Sequence, residues 1–307
     1  MNNGMTKTCL TKFSALFFSA LLIYGAGNPS AVAAGPADTL TLTRVVDTDD
    51  VFDEDFFSAG HPGFPGVGFP PGANTLLSLS PGPGAARLIL VAPPKPGLGK
   101  NARMPQRPIE VADPINLAFD SVSQGASGFG LSRLFLLDGG ELIAVKAGAR
   151  NRMNPDKIKR LDAQGFGIAD PQGMTLEPAT GRLFVLDGAG PRLVSIQPKP
   201  GREFAGAEVT PIALPGELGD LRGLAFNPED GHLYALSAER RKLYKLTLEG
   251  ELADSLDLSG LNISTPQGMV FGPSLDRTDH PSICHLYLVT AKGPKGEVSE
   301  WELPGPF

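Results

Sequence analysis

Cysteine is almost missing from this chain of 307 residues: there are two, Cys9 and Cys284. If the first is lost with a leader, no intramolecular disulfide is left to staple the fold. Basic residues are the minority, 27 against 33 acidic, for a net charge of −6. That balance speaks against a general nucleic-acid binder. Sustained helical periodicity is absent, which excludes a helical bundle. The four histidines, His61, His232, His280 and His285, show no His-x-x-x-His spacing, and no Gly-x-Ser-x-Gly elbow occurs. Zinc and Ser/His catalysis therefore lack a motif. No apolar run is long enough for a secure membrane span.

The longest apolar run, Phe13 to Tyr24, follows Lys7 and Lys12 and precedes a small-residue stretch ending in Ala31-Val32-Ala33. This is the pattern of a bacterial secretory signal peptide over residues 1–33, cleaved near Ala33. Periplasmic or secreted localisation follows, with no stable membrane span after cleavage. Without Lys7 and Lys12 the remaining 34–307 segment carries 25 basic and 33 acidic residues, a net −8. It is long enough for one large domain.

What the sequence has in abundance is punctuation: 38 Gly and 29 Pro. They bracket a repeat. Asp170-Pro171-Gln172-Gly173-Met174 leads through Glu177-Pro178-Ala179-Thr180-Gly181 to Leu183-Phe184-Val185-Leu186-Asp187. Asp220-Leu221-Arg222-Gly223-Leu224 leads through Asn227-Pro228-Glu229-Asp230-Gly231 to Leu233-Tyr234-Ala235-Leu236-Ser237. Pro presets φ at the turn, and Gly returns the chain through positive φ, so each copy begins with a hairpin. Further copies open at Asn116 and Gly268, and a degenerate one runs from Asn74 to Val91. The opening positions 74, 116, 173, 223 and 268 are 42, 57, 50 and 45 residues apart, the length of a propeller blade.

Third strands follow at 141–145, 192–196, 242–246 and 297–301, and more polar fourth strands at 157–161, 208–214 and 252–258. The last copy ends without a fourth strand. Residues 39–47, Thr39 to Asp47, alternate like a fourth strand with no hairpin before them. The predicted fold is thus an all-β propeller of about five, alternatively six, four-stranded blades, closed by strand 39–47 pairing with the last blade.

Three stretches, 221–228, 242–247 and 266–274, resemble exported bacterial propellers with NHL-like repeats, related to the SdiA-regulated and phytase-esterase-like groups. The resemblance covers roughly residues 110 to 303. It implies display outside the cytoplasm and carries over no catalytic residue.

If the first strands line the axis, the side chains of Asn74, Asn116, Gln172, Arg222 and Gln267 ring one mouth of the channel and form the candidate ligand set. The acidic stretch holding Asp47, Asp49, Asp50, Asp53 and Asp55 could supply oxygen ligands to Ca²⁺, although its spacing does not match an EF-hand loop. Asp138 and Asp187, at second-strand ends, read as turn formers. Cys284 lies in an apolar strand and reads as a packed residue rather than a nucleophile.

These observations lead to a non-catalytic binding or interaction scaffold whose partner is an extracellular or envelope protein, a glycan or a small ligand. The alternative is a Ca²⁺-dependent hydrolase of the lactonase or phytase-like propeller type, and a third reading is a module of a longer surface protein. Against the alternative, the axial ring contains no Asp or Glu and places Arg222 where a cation would sit.

Overall fold

Strand-length apolar segments separated by Pro/Gly turns can bury both faces only by stacking sheet against sheet, and the chain does so. The computed structural model describes residues 40–46, 67–68, 76–82, 85–92, 114–122, 130–147, 153–261, 263, 266–274, 276, 279–280, 283–292 and 295–305. All of them lie in one compact unit, Asp38–Phe307. The expected leader falls outside the described residues. Among those described, no helix is long and apolar enough to cross a membrane.

The chain enters on β1 (Thr41–Val46). A three-stranded sheet follows, with β2 (Val67–Gly68), β3 (Leu76–Gly82) and β4 (Ala85–Ala92) in that order. The second sheet holds β5 (Pro114–Val122), β6 (Gly130–Asp138), β7 (Glu141–Ala147) and β8 (Met153–Asp162). The third holds β9 (Pro171–Glu177), β10 (Arg182–Asp187), β11 (Arg192–Lys199) and β12 (Glu203–Ala213). The fourth holds β13 (Leu221–Asn227), β14 (His232–Ser237), β15 (Lys242–Leu246) and β16 (Leu252–Asp257). The last comprises β17 (Pro266–Pro273), β18 (Cys284–Lys292), β19 (Lys295–Glu302) and, beside β19, the N-terminal β1. Thr41 pairs with Glu302 and Val46 with Val298, antiparallel. These are the four-stranded antiparallel blades of a β-propeller.

Two expectations are corrected. Four sheets have four strands, not five or six, because the remaining sheet contributes three strands among the described residues. Within that sheet the segment expected to open a first strand at Asn74 supplies the middle strand β3 instead. β3 pairs antiparallel with β4, Gly82 opposite Ala85. The short β2 is the strand that meets β5 and β17. The degenerate repeat carries a hairpin signal but nothing to say which hairpin it is, so the reading slipped by one strand.

First strands pack on one another: β5 on β9, β9 on β13, and β13 on β17. Second strands are buried on both faces, and period-two alternation sorts their side chains between neighbours. In β10, Leu183 and Val185 join a core with Phe135, Leu137 and Leu142 of the second sheet. Phe184 and Leu186 join one with Leu224, Leu233 and Tyr244 of the fourth. In β14, Leu233 and Ala235 face back while Tyr234 and Leu236 face forward, onto Met269, Phe271 and Trp301. A fully buried side chain of this size contributes roughly 1.5–3 kcal/mol, so the sheets are held by their mutual faces. The outer strand β16 is mostly exposed.

In the four-stranded sheets the aromatic of each second strand has a matched partner on the third. Phe135 stands opposite Ala144 and Phe184 opposite Ser195. Tyr234 stands opposite Lys245 and Tyr287 opposite Glu300. A hydroxyl added to a buried ring must be satisfied. Tyr234 donates to Asp230 Oδ2 at 2.7 Å, and Lys245 Nζ lies 3.1 Å from the same oxygen. Burial, then the bond to Asp230, pushes the Tyr234 phenol well up. The Tyr287 hydroxyl lies 2.9 Å from Glu300 Oε1, which His285 Nδ1 approaches to 2.8 Å.

Both predicted turn glycines adopt positive φ: 75° at Gly181 and 73° at Gly231. Closer to the axis, glycine is needed for space. A Cβ on Gly173 would stand 2.9 Å from the Leu224 amide nitrogen and 3.0 Å from Gly223 Cα. Gly173→Ala is therefore expected to lower stability by about 1–3 kcal/mol, the cost of overpacking against backbone that cannot yield. The shift of the urea midpoint at unchanged slope measures it.

Candidate functional site

Each first strand of the four-stranded sheets begins with an irregularity. Register shifts lie between Pro114 and Asn116, at Gly173 and Pro171 opposite Leu186 and Asp187, between Arg222 and Leu224, and between Pro266 and Gly268. The extra residue of such a bulge re-aims the side chains beside it. This device sits at the strand end that carries the turns from second to third strands and the connections between sheets.

The candidate ring is placed unevenly by it. Gln172 and Arg222, from consecutive first strands, come together: Arg222 Nη1 donates to Gln172 Oε1 at 3.2 Å. Gln172 Nε2 donates to Asp170 Oδ1 at 2.7 Å, and Arg222 Nε lies 3.5 Å from Asp220 Oδ1. Asn116 is buried, and its Oδ1 accepts the Leu117 amide at 2.7 Å. Gln267 stands near the start of β17, at its register shift. Asn74 lies outside the described residues, as do Asp47, Asp49, Asp50, Asp53 and Asp55. Among the described residues no group of three or more His, Cys, Asp or Glu is arranged to hold a metal ion.

The Arg222–Gln172 contact closes one lip of a cleft of about 150 Å³ between the third and fourth sheets. Asp170, Gln172, Asp220 and Arg222 form its rim together with the exposed Gly188 and Pro191, and the buried Leu186, Leu218 and Leu221 lie beneath. A Cβ on Gly188 would come within 2.5 Å of Asp170 Oδ2 and 2.9 Å of Gln172 Cγ, so a larger residue there would displace these two rim side chains. Asp220 adopts φ 52° at the rim, a conformation Asp tolerates better than most side chains.

Under the rim, Asp187 holds the connection in place. Its buried carboxylate accepts Arg192 Nε at 2.9 Å and Nη2 at 2.6 Å, and the amides of Asp170 at 2.8 Å and Ala189 at 3.3 Å. Burial pushes this carboxyl up, but Arg192 and the backbone amides outweigh it and hold it below the usual range. The Ala189 bond is the expected Asx-type turn; the grip on Arg192 and Asp170 extends it. At the equivalent place Ser237 Oγ accepts the Arg240 amide at 3.2 Å.

Sequence reasoning missed a clamp at the opposite strand ends. Arg202 reaches from the β11–β12 turn to the buried Asp120 of the second sheet, and also donates to Pro178 O at 3.2 Å. Beside it Glu203 is ringed by Lys159 at 2.6 Å and by Arg133 and Lys146, each at 3.6 Å. A long β11–β12 hairpin after a Gly-Arg-Glu turn is the available signal, but nothing in one sequence pairs it with Asp120. At Cys284, burial, then the Glu229 carboxylate, pushes the thiol up to about 11. It is protonated at neutral pH, as a packing residue should be.

Residues 149–269 match the model of the SdiA-regulated family, so the resemblance read from the motifs is met over that segment. No protein of curated function matches the sequence. Among solved structures, a chain of a nidogen–laminin complex is 15% identical, with 78% of this chain and 80% of that one covered at a TM-score of 0.49. A putative 6-phosphogluconolactonase from Bacteroides uniformis is 12% identical over 76% and 69% of the two chains, TM-score 0.42. A streptogramin B lyase is 12% identical over 80% and 70%, TM-score 0.40. At these identities no property of those proteins passes to this chain.

A carboxyl held low in the folded state contributes stability that is full above its unfolded pKa and is lost as pH falls through the folded one. Asp187→Asn is therefore expected to cost about 1.5–3 kcal/mol at neutral pH, the loss of charge-assisted hydrogen bonds to an Arg192 that is itself partly exposed. It should also shrink the loss of stability below about pH 4. Urea titrations of both proteins between neutral and acid pH test both statements.

Proposed function

We propose that this chain is an exported, non-catalytic propeller scaffold that binds its ligand at the cleft between the third and fourth sheets. In this reading the three-stranded sheet fills the gap between the second and last sheets, which its β2 meets at β5 and β17, and β1 closes the ring through its pairing with β19.

The observation that carries the binding reading is the meeting of Gln172 and Arg222 across two sheets at the cleft lip. The carboxylates around them are already engaged: Asp170 by Gln172, Asp187 by Arg192, and Asp220 by the Glu239 amide at 3.1 Å. With each of these carboxylates held by a partner among the described residues, the site is read as a set of recognition groups rather than an acid–base pair.

Calorimetry of the protein with Ca²⁺, followed by ester, lactone and phosphate-ester substrates with and without metal, tests this. The expected result is no turnover above buffer under either condition. Metal-dependent turnover abolished by a chelator would replace the scaffold with a Ca²⁺-dependent hydrolase.

A further inference from the structure

We infer that the ligand of this cleft is an uncharged saccharide unit, held by its hydroxyls on the rim and by its C–H face on the floor. The inference rests on the binding reading above and adds the chemical class.

Charge comes first. Asp170 and Asp220 stand against Arg222 and against Arg240, whose Nη2 lies 3.8 Å from a Cβ built on the lining Gly219, so the rim is balanced, while Asp187 and Arg192 cancel beneath it. An anionic ligand would gain these guanidinium groups and meet two carboxylates. A small cation would meet Arg222, whose side chain is half exposed and lies at the lip. Ligands with a full charge of either sign are therefore disfavoured, and what remains is a neutral molecule that both donates and accepts.

The rim offers both. Among the described residues, Arg222 Nη2 has no protein partner, although Nη1 and Nε are engaged by Gln172 and Asp220. Arg222 is thus directed by two contacts, at 3.2 and 3.5 Å, and keeps one donor for a ligand oxygen. Asp170 Oδ2 and Asp220 Oδ1 are acceptors at the same rim, Asp220 Oδ1 facing Arg222 Nε only at 3.5 Å. Adjacent hydroxyls match such an alternation of one donor and flanking acceptors, since each hydroxyl donates once and accepts as well.

The floor explains why a pyranose suits the cleft better than a more polar molecule. The buried Leu186, Leu218 and Leu221 lie below the polar rim, and the exposed Pro191 stands beside it. A sugar ring has the same division, with an apolar C–H face and a hydroxyl edge. A volume of about 150 Å³ admits one ring rather than a chain of them, well below the several hundred Å³ of a typical drug-sized pocket.

Saturation-transfer NMR on the full chain tests the inference with D-glucose, D-galactose, D-mannose and N-acetyl-D-glucosamine. D-glucuronate and D-glucosamine serve as anionic and cationic counterparts. The expected result is binding of at least one neutral sugar, weakened about tenfold by Arg222→Met, the loss of a hydrogen bond to a charged group. The counterparts should bind more weakly. Arg222 is half exposed, so the variant folds, and its urea midpoint serves as the control. Binding of no neutral sugar, preference for a charged counterpart, or neutral-sugar binding unmoved by Arg222→Met would each overturn the saccharide assignment. Those outcomes leave the scaffold reading intact, because that reading falls only to turnover.

Discussion

Between the third, fourth and fifth sheets, the first strands approach so closely that glycine backbone meets backbone. Gly173 stands against Gly223 and Leu224, and a Cβ on Gly223, at φ 74°, would lie 3.5 Å from Gly268 Cα. At Gly173 there is no room for a side chain, and at Gly223 the positive φ rather than the space calls for glycine, so the side chains that can make contacts stand on either side of this level. Toward one end they become Gln172 and Arg222 at the cleft lip; toward the other, Met174, Leu224 and Met269 in the cores. The close approach thus sets both the spacing of the sheets and the place where polar groups from two sheets can meet. In the second sheet the same motif position is Asn116, which turns its amide oxygen to its own neighbour's backbone.

Around that centre the second strands transmit packing from sheet to sheet. Each sends alternate side chains to opposite neighbours, so no core belongs to a single sheet. The pairing of Tyr234 with Lys245 and of Tyr287 with Glu300 extends the polar inventory into this interior without leaving the hydroxyls stranded.

Much of this was legible in the sequence because it is local. Pro178 and Gly181 announce a hairpin whatever surrounds them, and Leu183 to Leu186 announce a strand buried on both faces. The fourth strand supplied by residues 41–46 could be read as well, since a final repeat without an outer strand leaves an edge to cover. Where local signals repeat without a marker of order, the reading failed: the hairpin of β3 and β4 looks like any other, and it was assigned to the wrong pair of strands. Long-range pairs were invisible. Arg202 and Asp120 stand 82 positions apart, and Gln172 and Arg222 meet only because the bulges re-aim them. Tyr in place of Phe, opposite Lys or Glu in place of Ala or Ser, was a signal open to reading from the aligned copies.

The account turns on the first strands being coupled through their backbones, and hydrogen exchange followed by mass spectrometry measures that coupling. In the native protein β9 and β13 should exchange most slowly and the exposed β16 fastest. With Gly173→Ala, exchange should rise in β13 and β14 of the neighbouring sheet as well as in β9. An increase confined to β9 and β10 would contradict the account.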